Sequence, residues 1–251
     1  MAEALLSLRN VSRAFGGLQA VNAVSLDLPQ YSLSALIGPN GAGKTTLFAL
    51  MSGFLAPDSG RVLFLGEDIT GRAPHRNALQ GMARTFQIVQ PFAQQTVRQN
   101  IAVGAHLRLP GRRQALEHAE IVAQQVGLAP QLDKPAADLT VAGRKRLELA
   151  RALATRPRLL LLDEVLAGLN PNEIADMIPV VQGIAASGVT VLMIEHVMQA
   201  VMNLAQQVWV LAQGQLIAHG TPSEVTRDDK VIEAYLGHGT AARLRAAELK
   251  P

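Results

Sequence analysis

Apolar positions change their spacing several times along this chain. Leu5 to Phe15 and Val21 to Leu28 read as two strands joined through Gly16-Gly17, the second alternating Val24, Leu26 and Leu28 with Ser25 and Asp27. Ser32 to Ile37 reads as a third strand that stops at Gly38. From Lys44 the spacing becomes helical, with Leu47, Leu50, Met51 and Phe54 on one face. Asp58-Ser59-Gly60 reads as a turn, and Arg61 to Ile69 as a strand pair folded about Gly66-Glu67-Asp68.

From residue 87 to about 156 β-branched runs become sparse and Gln, Arg, Ala and Leu dominate. This stretch reads as a helical insert with turns at Pro110-Gly111 and Gly127. Strand character then returns. Leu159 to Leu162 is wholly apolar, as a parallel strand buried on both faces should be, and Val189 to Ile194 is similar. Asn172 to Ala186 between them suits the crossover helix of a right-handed strand-helix-strand unit. Val208 to Leu211 and Gln215 to Ala218 form a hairpin about Gln213-Gly214. Ser223 to Leu236 reads as one helix, started by Ser223 with Glu224 in its first turn. The Ala-, Arg- and Glu-rich tail, residues 238–251, reads as a frayed helix. The pattern predicts an α/β fold: an N-terminal antiparallel β subdomain, a parallel sheet and a helical insert over about 88–156, all within one domain of residues 1–237.

Composition narrows the function. Of 251 residues 49% are apolar and only 4% aromatic, so Ala, Leu and Val fill the core. A formal charge of +3 is a weak basis for a polyanion partner, and no direct nucleic-acid contact is expected. Cysteine is absent, which fits a reducing compartment. The start Met-Ala-Glu-Ala-Leu-Leu lacks a basic region ahead of a long apolar one, and no uninterrupted apolar run reaches about 18 residues. Work at a membrane would therefore require recruitment by another chain.

Two segments carry candidate chemistry. Gly38-Pro39-Asn40-Gly41-Ala42-Gly43-Lys44-Thr45 has the spacing G-x4-G-K-[ST] between an apolar strand and an amphipathic helix. Glycines let such a loop fold into a nest of backbone N–H groups that hold phosphates at a helix N-terminus, with Thr46 next along the helix. Lys44 would reach the β- and γ-phosphates, and the Thr45 hydroxyl would coordinate Mg²⁺. Leu159-Leu160-Leu161-Leu162-Asp163-Glu164 puts two acids at the end of a buried strand, where open α/β sheets bind ligands. Alone, that run is equally compatible with a structural role; beside a phosphate loop, Asp163 suits Mg²⁺ and Glu164 suits polarising a water.

Taken in order, the phosphate loop, Gln87, Leu139–Arg151, Asp163-Glu164, Ala167–Asn170 and His196 resemble the nucleotide-binding domain of ABC transporters from about Leu5 to Gly237. The resemblance implies ATP and Mg²⁺ as ligands and the ABC ATPase fold on a P-loop core. It implies that Phe15 stacks on adenine, that Gln87 touches Mg²⁺ or water and senses a transmembrane partner, and that His196 contacts the γ-phosphate. It also implies that Thr140 and Ala142 face the nucleotide of a second ATPase subunit, a paralogue or another copy.

The chain departs from the family pattern at several points. Leu139-Thr140-Val141-Ala142-Gly143 stands where the family usually has Leu-Ser-Gly-Gly-Gln. Thr140 keeps a hydroxyl able to cap a helix or donate to phosphate, whereas Ala142 adds a methyl where a glycine allows close approach. Val165 replaces a usual proline, and Asn170 stands where Asp is frequent. The basic run Arg144-Lys145-Arg146 reads as a solvated helix face.

Leu147 to Leu153, Ala167 to Glu173, Ile194 to Met198 and Ala218 to Glu224 resemble ATPases of branched-chain amino acid importers. That resemblance implies permease subunits as partners and a peripheral place on the cytoplasmic face of the inner membrane. Lipopolysaccharide-export ATPases share a similar C-terminal stretch and are the alternative. A soluble ABC ATPase acting on ribosomes or nucleic acid fits less well, because this chain has one domain and no sustained heptads.

Overall fold

In the computed structural model, which describes residues 4–87 and 90–236, the chain builds two sheets. The first is antiparallel, in the order β2-β1-β4-β5: β1 (Ala4–Phe15), β2 (Leu18–Pro29), β4 (Ser59–Phe64) and β5 (Glu67–Asp68). The turn between β4 and β5 falls at Leu65-Gly66, earlier than the sequence pattern placed it. The second sheet runs β10-β9-β3-β8-β7-β6 and is parallel from β9 to β6. Its members are β3 (Leu33–Ile37), β6 (Met82–Arg84), β7 (Leu159–Asp163), β8 (Thr190–Ile194), β9 (Gln207–Ala212) and β10 (Gln215–Gly220), the last antiparallel to β9.

β3, β7 and β8 are buried at every residue. Their side chains face helices on one side and the first sheet on the other, and this is why the runs are apolar without alternation. Even-numbered Leu160 and Leu162 enter the core under the helical insert, while Leu159 and Leu161 enter the core beneath the first sheet. Each such burial stabilises by about 2 kcal/mol.

The helices are α1 (Lys44–Ser52), α2 (Pro74–Gln80), α3 (Val97–Ala105), α4 (Arg112–Gln125), α5 (Val141–Leu153), α6 (Pro171–Ala186), α7 (Met198–Leu204), α8 (Pro222–Val225) and α9 (Asp229–Leu236). α3, α4 and α5 pack on one another through Val97, Ile101, Ala115, Val122, Leu147 and Leu149, all buried. α6 begins on a capping box, in which Asn170 Oδ1 accepts from the Glu173 N–H and Glu173 returns the bond to Asn170.

Three further features differ from the sequence expectation. β6 and its preceding helix α2 were unmarked, because a three-residue strand at a sheet edge carries too little periodicity. α7 follows β8 without a strong start signal, since no side chain caps it. The expected helix from Ser223 to Leu236 is two helices, broken between Val225 and Asp229, and its cap is Thr221 rather than Ser223. Thr221 Oγ1 accepts from the Glu224 N–H while Glu224 bonds back to the Thr221 N–H. The tail at residues 238–251 and Ile88 lie outside the described residues.

Candidate active site

Sheet order brings the separated segments together. β3, β8 and β7 are adjacent, in parallel, with Leu36 level with Ile194 and Ile194 level with Asp163. Their C-terminal ends therefore open side by side, and the phosphate loop, the two acids and His196 leave from one edge.

The loop's conformation depends on glycine at two positions. Gly43 has φ of 102°, and a Cβ there would lie 2.2 Å from the Ala20 carbonyl oxygen. At Gly38 a Cβ would lie 2.0 Å from the Leu211 carbonyl oxygen. These two contacts press the loop against β2 and β9. Ala42 is buried, and Asn40, Gly41 and Thr45 are exposed. No side chain caps α1 at Gly43, so its first-turn N–H groups face outward as an anion site. Lys44 folds back, its Nζ donating to the carbonyls of Gly38 at 2.7 Å and Pro39 at 2.9 Å. Burial pulls its pKa below the ordinary lysine value, and Glu164 and Asp163 push against that.

The acids are held from both sides. Asp163 is 3% exposed and ion-paired at 2.8 Å with Arg84, whose guanidinium also lies over the rings of Phe48, Phe54 and Phe86. Thr85 Oγ1 accepts from the Asp163 N–H. Gln87 Nε2 donates to Glu164 Oε2 at 2.8 Å, a direct contact between the two side chains that the sequence reading did not include. Glu164 has φ of 50°, an uncommon backbone for a residue other than glycine. His196 is exposed just past β8. Phe15 is exposed at the tip of the β1–β2 hairpin, with Arg13 over its ring.

Thr140 and Ala142 sit elsewhere, at the start of α5. Thr140 is its N-cap, accepting from the Gly143 N–H at 3.1 Å, and Ala142 is half-buried. Among the described residues no hydrogen bond ties this segment to the phosphate loop. The basic run beside it is not a solvated face. Arg144 is exposed, but Lys145 is buried and Arg146 donates to the carbonyls of Val126 and Asp176. Lys145 shares its face of α5 with Glu148 and Leu149, which are also buried, while Gly143 and Leu147 are buried on the other side of the helix.

Sequence reasoning passed over four charged residues at the site: Arg84, Lys145, Glu148 and Glu195. The available signal was a charge inside an apolar period, as in Leu147-Glu148-Leu149 and in Ile194-Glu195 at the end of a buried strand.

Comparison with known proteins settles the family. Residues 21–167 match the ABC transporter family model. This chain belongs to the ABC transporter ATP-binding family. Residues 215–241 also match a model described as branched-chain amino acid ATP-binding cassette transporter. Among curated relatives, the high-affinity branched-chain amino acid transport ATP-binding protein BraF of Pseudomonas aeruginosa is 38% identical, over 94% of this chain and 99% of that protein. LivG of Escherichia coli K12, of the same description, is 37% identical with the same coverage. Among solved structures, a nucleotide-free ATP-binding cassette from an ABC transporter superposes with a TM-score of 0.85 at 32% identity, covering 94% of this chain and all of that one. The ADP conformation of the cassette MJ1267 does so with the same score and identity, covering 94% and 99%. The ABC ATPase chain therefore binds and hydrolyses ATP. No helix among the described residues is long and apolar enough to cross a membrane.

Proposed function

We propose that this ABC ATPase energises import of branched-chain or related amino acids through separate permease subunits. Identity to BraF and LivG over almost the full length of both chains supports an importer over the lipopolysaccharide-export alternative. The observation that carries the catalytic reading is the direct bond between Gln87 and Glu164 at the shared edge of β3, β8 and β7.

ATP lies with its phosphates on the N–H groups of residues 38–46 and its adenine on Phe15. Thr45, Asp163 and Gln87 supply only oxygen ligands, the set a hard cation selects, and they would hold Mg²⁺, which screens the charge on the β- and γ-phosphates. Glu164 is the general base toward water, Gln87 orients it, and His196 donates to the γ-phosphate. Lys44 exchanges its two loop carbonyls for phosphate oxygens. Thr140 and Ala142 complete the site of a second subunit, so turnover needs a dimer; exposure of Val141 at the same helix start suits a surface that is covered there. A groove of about 810 Å³ runs from Thr45, Gln87 and Asp163 out to Phe54, Phe86 and Val103. A cytoplasmic helix of the permease docks there, which places the chain on the cytoplasmic face of the inner membrane, with residues 1–237 as a single working domain.

The test is a pull-down of tagged chain from gently solubilised native membranes, with partners identified by mass spectrometry, together with two variants. Permease subunits and a second ATPase are expected. Lys44→Ala abolishes nucleotide binding, and Glu164→Gln keeps binding but stops turnover. Recovery of exporter components, or of ribosomes without a membrane chain, refutes the importer reading; near-normal hydrolysis by Glu164→Gln refutes the base.

A further inference from the structure

One side chain to which the resemblance assigns no role touches both members of the Gln87–Glu164 pair. Lys145 is 6% exposed, and its Nζ lies 3.4 Å from the Gln87 carbonyl oxygen and 3.3 Å from that of Glu164, donating to both. One turn further along α5, Glu148 accepts the Phe86 N–H at 2.5 Å. A single helix turn thus grips two successive residues of the segment that carries Gln87, one by its N–H and one by its carbonyl.

The need for such a grip is visible at Glu164. Its left-handed backbone costs about 1–2 kcal/mol and persists only where the surroundings over-determine it. Four bonds do so. The Glu164 N–H donates to Ile194, its carbonyl accepts from the Ala167 N–H and from Lys145, and its Oε2 accepts from Gln87. Of these four, the Lys145 bond is the one that comes from α5. Burial raises the carboxyls of Glu148 and Glu195, and the charge of Lys145 works against that at both.

We propose that Lys145 is a positioning residue for ATP hydrolysis, fixing Gln87 and Glu164 relative to each other through their backbone carbonyls and tying both to α5. The inference rests on Glu164 being the base. Because α5 also begins at Thr140 and Ala142, displacement of this helix by a second subunit reaches the base through one side chain. The lysine needs no contact with nucleotide to do this.

The test compares Lys145→Met, Glu164→Gln and the double variant in the complex recovered from membranes, alongside nucleotide affinity and Tm of the full chain. Lys145→Met should lower kcat by about 10–100-fold, the effect of a misplacement near 1 Å, with KM and nucleotide affinity within about twofold of wild type. In the Glu164→Gln background it should lower residual turnover no further, as for residues acting as one unit. If Lys145→Met does not fold, Lys145→Gln is read in the same way. Wild-type kcat in the lysine variant with an inactive Glu164→Gln overturns the role of Lys145 alone. Equal losses in affinity and kcat also overturn it, since a merely structural lysine gives that result. Turnover by Glu164→Gln would instead remove the base reading itself.

Discussion

Glu195 makes the stability of this protein depend on pH in an unusual direction. It is 1% exposed; Oε1 accepts the Leu166 N–H at 3.0 Å, and Oε2 is buried without a well-formed hydrogen bond among the described residues. Burial, opposed by the Leu166 bond and reinforced by Glu164, raises its pKa from 4.5 to about 7. Between these values the folded chain holds a proton that the unfolded chain has released, so this group's contribution to stability falls as pH rises. The cost is absent well below pH 4.5, builds up to about 7, and is constant above. At about 1.4 kcal/mol per pH unit its ceiling is about 3 kcal/mol. Glu195→Gln keeps the acceptor for Leu166 and cannot ionise. Its second amide hydrogen finds no acceptor, a pH-independent offset of about 1 kcal/mol. Chemical denaturation at pH 5 and pH 8 isolates the remainder: the variant should gain about 2–3 kcal/mol relative to wild type between those two conditions, or several degrees in Tm at about 2–4 °C per kcal/mol. An increment that is the same at both pH values would refute the buried-carboxyl argument.

Further outcomes follow from the geometry. Gly43→Ala should lose nucleotide binding and destabilise the chain, because its Cβ meets the Ala20 carbonyl at 2.2 Å; a binding titration and a melt read both effects. Thr140→Val removes the cap of α5 and should cost about 1 kcal/mol in a denaturation experiment. Arg84→Met removes the ion-pair partner of buried Asp163 and should cost about 3–5 kcal/mol without ligand, a deficit that Mg²⁺ with ATP partly restores in a thermal-shift assay.

The phosphate loop, the apolar strands and the acidic pair were legible because each is a local property. A positive-φ loop requires glycine at Gly43, a strand covered on two faces requires an unbroken apolar run, and both requirements act on neighbours in the chain. That Gln87 belongs to the site could be expected only through resemblance to a family, and its direct bond to Glu164, 77 positions away in the chain, came only from the tertiary structure. Tertiary structure alone decided the status of Lys145. A lysine in a basic run reads as solvated until the helix face it occupies is known, and that face is set by packing of α5 on α3 and α4. The same holds for Asp163, whose partner Arg84 arrives on the edge strand β6 that periodicity does not reveal, and for the split at Val225, where the Thr221 capping box starts a helix that the downstream pattern does not end. Charge burial and edge pairing depend on which distant segments share a surface, and chain-local spacing carries no term for that.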